Sequence, residues 1–336
     1  MSGALVPYHQ RQNKAVDRHL FIDLLALVNR YKPISGYTYI SFGGAFLEDF
    51  KLLHSQFGNV QLISLENDPV AWGRQQFNQP ISCIQCVRQD SSTFITNYSI
   101  SGNAIFWLDF ADAKRTRQQI EEFQSLLGKM QAYDIVKLTL NANPNVLRDS
   151  HSTDEDDRRE TSDVRNEKRL SELRRRLGEF IPQDTTSQSM TADALPGVLL
   201  RAVQYAANEA MKLKQLLKET FYPLTAFAYN DSQHQMLTVT GIILPKQEVK
   251  KFLEETGVGK WNLASRSSTP YQRIRVPSLS AREKIFIDRL LPKATSKQIQ
   301  KKLGFLFDKD NVESIKIIDN YKLFYRYYPN FHKVSF

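Results

Sequence analysis

Apolar positions in the first half of the chain alternate between helical and extended spacing, and each extended run ends in a polar or small residue. Residues 13–31 carry Ala15, Leu20, Leu24, Leu25 and Val28 at helical spacing, then stop at Pro33 and Gly36. Residues 37–42 form an extended apolar run that enters Gly43-Gly44, and a second apolar-periodic helix begins near Leu47. The next run, 60–65, stops at Glu66; Asp68 is placed as an N-cap and Pro69 as the first residue of the helix that follows. A third run, 104–108, stops at Asp109, and a helix over 116–130 leads to a fourth run, 134–140, which ends in Asn141-Ala142-Asn143-Pro144. Alternation of this kind predicts a parallel sheet covered on both faces. Polar residues at the carboxyl ends of such strands define a binding crevice.

The second half reads differently. Between residues 148 and 176, 9 acidic and 9 basic residues fill 29 positions, predicting a solvated helix or a disordered insertion. Residues 182–196 are loop-like and a helix resumes over 198–217. Extended runs at 224–229 and 236–244 flank a polar turn and predict a hairpin, so the parallel sheet closes with an antiparallel strand. Beyond Pro245, helices at 279–291 and 296–303 followed by extended runs at 314–318 and 321–328 predict a small winged-helix-like module. The expected organisation is therefore α/β: a Rossmann-like domain over 1–244, interrupted by a charged insertion at 146–196, and a small basic α+β module over 245–336.

Charge sharpens this division. The chain carries a net +9, yet residues 245–336 hold 19 Lys+Arg against 9 Asp+Glu, which leaves the first 244 residues nearly neutral. An anionic partner for the last segment is expected, nucleic acid first, with Lys297, Lys301 and Lys302 on the proposed second helix as contacts; a protein interface is the other reading. Seven aromatics among the last sixteen residues could stack bases or pack into their own domain. The two cysteines exclude a disulfide framework and favour a reducing cytoplasm, and no run long enough for a membrane span is present. Cys83 and Cys86 lack a second ligand pair, so no metal site is expected.

The chemistry is concentrated at the strand ends. Gly43-Gly44 permits close backbone approach to a ligand or a plain tight turn. Glu66, about twenty residues on, is placed to accept two ribose hydroxyls, and it is not needed as a cap because Asp68 fills that role. Asp109 and Asp112 can orient or deprotonate an acceptor, or cap the next helix. Asn141 and Asn143 can hydrogen-bond an acceptor or build an Asn-Pro turn.

This order of parts resembles a class I S-adenosyl-L-methionine-dependent methyltransferase, and the segments beginning at Gln12 and Tyr39 are similar to those of a bacterial O-methyltransferase family over residues 8–145 and 198–244. The resemblance implies Gly43 and Gly44, with Ser41 before them, at the methionine part of the cofactor. It further implies Glu66 at the ribose, Asp90 and Ser91 at the adenine, and Asp109 beside the methyl group. Ser41 stands where an acidic residue is usual, so a fold retained for binding without turnover is the competing expectation. The resemblance also implies a mobile-element or phage-defence setting. The run at 109–112 lacks the Asn/Asp-Pro-Pro-aromatic pattern of base amino-methylation, and neither cysteine is placed for cytosine C5 chemistry.

Overall fold

The computed structural model describes residues 11–59, 61–99, 101–147, 160–214, 218–231, 234–266 and 270–329. Helix α1 (Gln12–Val28) precedes β1 (Thr38–Ser41), α2 (Glu48–Phe57), β2 (Leu62–Leu65), α3 (Pro69–Asn78), β3 (Ile84–Val87), α4 (Ser91–Asn97), β4 (Ala104–Asp109), α5 (Thr116–Lys129) and β5 (Ile135–Asn141). Then come α6 (Ser162–Leu177), α7 (Leu195–Leu213), β6 (Glu219–Asp231), β7 (His234–Pro245), α8 (Val249–Thr256), β8 (Gln272–Ile274), α9 (Ala281–Asp288), α10 (Ser296–Leu303) and α11 (Asn311–Phe324).

The eight strands form one sheet in the order β3-β2-β1-β4-β5-β7-β6-β8. The first five run parallel, β7 lies antiparallel between β5 and β6, and β8 joins β6 in parallel. The expected closing hairpin is therefore present, with Leu138 opposite Val239 and Asn141 opposite Met236. Helices cover both faces. Residues of α4 to α7 pack on one side around Ile120, Phe123 and Val203, while α1, α2 and α8 pack on the other around Leu25, Phe50 and Phe252.

Two expectations are corrected. The run 314–328 is helical, not a hairpin. Its buried residues Ser314, Ile317, Ile318, Tyr321 and Phe324 fall at helical spacing, and Asp310 caps the helix by accepting from the Glu313 amide. A winged-helix module is thereby lost. Tyr321, Phe324, Tyr327 and Tyr328 pack with Val16 and Leu20 of α1 in a third core, so these rings are not a stacking surface. Within the charged insertion, α6 is the mostly exposed helix that one of the two readings expected, with Leu170, Leu173 and Leu177 buried along one stripe; residues 148–159 lie outside the described residues. Among the described residues, no helix is long and apolar enough to cross a membrane.

Candidate functional site

The carboxyl ends of β1, β2 and β4 open onto one cleft of about 330 Å³, and the loop after β3 closes its far wall. At β1 the chain leaves Ser41 and turns through Gly43 and Gly44, both in the left-handed region at φ +64° and +55°. A side chain at Gly43 would lie 2.6 Å from Leu47 Cδ2 and from Ser64 Oγ, so glycine is required by conformation and by space together.

Glu66 follows β2. It accepts from the Asp68 amide (2.9 Å), while Asp68 accepts from the amides of Val70 and Ala71 and caps α3. Asp68, and not Glu66, is the cap of α3, as the sequence indicates. Burial pushes the Glu66 carboxyl above its ordinary range, against the stabilising amides of Asp68 and Asn67. Asp90 caps α4 through the Thr93 amide, which holds its carboxyl low, and the Ser91 hydroxyl donates to Glu122 at 2.5 Å. Both line the cleft.

Asp109 ends β4 with its side chain 23% exposed and 2.8 Å from the Lys14 ammonium. Burial raises its carboxyl, but Lys14 and, more weakly, Thr139 and Lys137 overcome this and hold it below the ordinary range. Asp112 is exposed at the cleft rim and caps a short turn through the Lys114 amide.

The remaining sequence candidates lie elsewhere. Asn141 and Asn143 do not line the cleft: Asn141 donates to the Ala111 carbonyl and accepts from the Asn143 amide, and Asn143 caps the turn Pro144–Val146. They shape loops. Lys297, Lys301 and Lys302 sit on the exposed side of α10, away from the cleft.

Five charged lining residues escaped the sequence reading: Lys14 and Arg18, one turn apart on α1, Asp49 in the first turn of α2, and Arg115 and Glu122 at the start of and within α5. Beneath Lys14 runs an ionic network. Arg11 pairs with Asp231 (2.8 Å), Lys14 lies between Asp109 and Asp231, and the buried Lys137 on β5 pairs with Asp17 at 2.7 Å. The Lys137 ammonium also lies 4.1 Å from the Trp107 ring centroid and 4.8 Å from that of Phe21. Lys14 and Arg18 stand at helical spacing with the buried Phe21 and Leu25 of α1, so the local signal was charge on an apolar face.

The fold is similar to those of the N-methyltransferase NodS from Bradyrhizobium japonicum WM9 (TM-score 0.36, 11% identity, covering 68% of this chain and 97% of that one). It is also similar to the structure described as "a putative O-methyltransferase from Klebsiella pneumoniae" (0.38, 8%, 69% and 80%). A third is the plantazolicin methyltransferase BamL in complex with a triazolic desmethylPZN analog and SAH (0.35, 12%, 70% and 88%). No curated protein matches the sequence. A family model described as "Putative O-methyltransferase" matches residues 6–336, and the chain belongs to that family.

Proposed function

We propose that this protein transfers a methyl group from S-adenosyl-L-methionine to an oxygen acceptor. The observation that carries the reading is the convergence, in one cleft, of the left-handed Gly43-Gly44 turn, the Glu66 carboxylate, the Asp90-Ser91 turn and Asp109. This donor set fits the cofactor in the order of its parts. Glu66 would accept from the ribose hydroxyls, Asp90 and Ser91 would face the adenine, and the glycine turn would admit the methionine portion. When bound, the cofactor supplies an electrophilic methyl carried by a sulfonium. Asp109, kept ionised by Lys14, accepts the hydrogen bond of the acceptor hydroxyl and orients its oxygen; proximity and alignment account for most of the rate. A carboxylate with a lowered pKa is a weak base, so Asp109 chiefly orients the hydroxyl and would take its proton only as the methyl–oxygen bond forms and the thioether departs as S-adenosyl-L-homocysteine.

Calorimetry with S-adenosyl-L-homocysteine tests the site, and transfer of labelled methyl to cellular fractions tests the reaction. Asp109→Asn is expected to keep cofactor affinity and lose transfer. Absence of binding by the wild type would assign the fold to a role without turnover.

A second reading concerns α10. Arg273, Arg275, Lys284 and Lys316 of the basic segment are ion-paired, whereas Lys297, Lys301 and Lys302 are exposed with no ion pair among the described residues. We propose that these three contact nucleic acid, as substrate or within a complex. Mobility shifts at two salt concentrations should show a slope that falls by about one per lysine removed. Equal weak binding by wild type and a triple Lys→Ala variant rejects this.

A further inference from the structure

We infer that Arg18 and Asp49 form the subsite for the charged amino-acid end of the cofactor, with Arg18 gripping its carboxylate and Asp49 taking its ammonium. The inference rests on the cofactor reading above and adds to it residues that the resemblance did not supply.

Arg18 is 6% exposed, yet it lines the cleft. Its Nε is buried without a hydrogen-bond partner, and among the described residues its guanidinium makes neither a hydrogen bond nor an ion pair. The neighbouring buried cations differ: Lys14 pairs with Asp109 and Lys137 with Asp17. A buried guanidinium is stable when an anion meets it, and a planar fork suits a carboxylate bidentately. The cleft is where that anion can enter.

Asp49 completes the pair from the other side. It is 9% exposed, lines the same cleft and accepts the Tyr39 hydroxyl on Oδ2 at 2.5 Å, which leaves its second oxygen for another donor. Arg18 and Asp49 line the same cleft, and no ion pair joins them within 4.0 Å. Opposite charges lining one cleft without direct pairing match a zwitterion placed between them. Ser41 and Gly43 of the β1 end line the same wall. Side chains from two helices would thus recognise the group for which Ser41 offers no charge.

The test is calorimetric binding of S-adenosyl-L-homocysteine and of 5′-methylthioadenosine, which keeps the nucleoside and thioether but lacks the amino-acid end. Wild type should bind the first more tightly than the second. Arg18→Met should weaken the first by about 10- to 100-fold, the range for charge-assisted hydrogen bonds, and leave the second within about twofold. Loss of affinity for both ligands in proportion, or for neither, overturns the assignment while the cofactor reading stands. Failure of the wild type to bind either ligand overturns both. Should circular dichroism show Arg18→Met unfolded, Arg18→Lys keeps the charge without the fork and is expected to lose about tenfold on the first ligand alone; no selective loss again overturns the assignment. Decarboxylated S-adenosyl-L-homocysteine supplies the complementary arm on unaltered protein. It should bind as weakly to wild type as the complete ligand binds to Arg18→Met, and full affinity would overturn the assignment.

Discussion

Replacing Lys137 by methionine should destabilise the protein more than most core substitutions of similar size. Its ammonium lies 2.7 Å from Asp17 Oδ2, with side-chain exposures of 2% and 0%. At an effective dielectric of about 20, a pair at this distance attracts by about 6 kcal/mol. Removing both charges from water costs several kcal/mol per ion, so the intact pair is close to neutral for stability. A single replacement is different. Lys137→Met leaves Asp17 buried with, among the described residues, only the Thr238 hydroxyl (3.0 Å) as a side-chain donor, and should cost about 3–5 kcal/mol. Asp17→Asn/Lys137→Met removes both charges and should be more stable than Lys137→Met alone. Urea unfolding followed by tryptophan fluorescence measures the three proteins. A loss below about 1 kcal/mol in Lys137→Met, or strictly additive effects in the double variant, would refute a coupled buried pair. The same replacement removes a cation that favours ionised Asp109, so the Asp109 pKa should rise and the acid limb of the activity profile should move to higher pH.

Glu66 is raised by burial, and its ionised form is the acceptor for hydroxyls; cofactor affinity should therefore be full above its folded pKa and fall as pH drops through it, with Glu66→Gln binding weakly and flattening the profile in calorimetry. Gly43→Ala meets both positive φ and contacts at 2.6 Å, so thermal unfolding should show a loss of about 1–3 kcal/mol, whereas Gly58→Ala, at φ +70° with open space around it, should lose less. Arg176 is 7% exposed and donates to the carbonyls of Ala113 (3.0 Å) and Val146 (2.9 Å). Arg176→Ala should cost about 2–3 kcal/mol and speed hydrogen exchange in the loops after β4 and β5; unchanged exchange there would deny that α6 fastens them.

What could be read from the sequence was local. The ends of β1, β2 and β4 followed from where apolar runs stop, and the Asp68-Pro69 start of α3 from capping chemistry confined to four residues. The β6–β7 hairpin was visible because both strands are long and joined by a short polar turn. The Lys14–Asp109 and Asp17–Lys137 pairs span 95 and 120 residues, and only the folded sheet brings them together. Ser314 to Tyr328 misled because Ile, Tyr and Phe favour strands, while burial at three- and four-residue spacing and the Asp310 cap decided for helix. Strand β8, three residues long, carries too little pattern to stand out.

Helix α1 presents Lys14 and Arg18 to the cleft while Val16 and Leu20 pack against Tyr321 and Phe324. Its first turn is also tied to the far end of the chain, where Gln12 donates to Ser278 Oγ (2.8 Å) and Asn13 accepts from the Val276 amide (3.0 Å). Residues 276–328 thus help to hold the charged wall of the cleft from outside it, while Asp109, Lys137 and Asp231 hold the same helix from within the sheet. A lesion in the last helices would be felt at the strand ends without touching one of them.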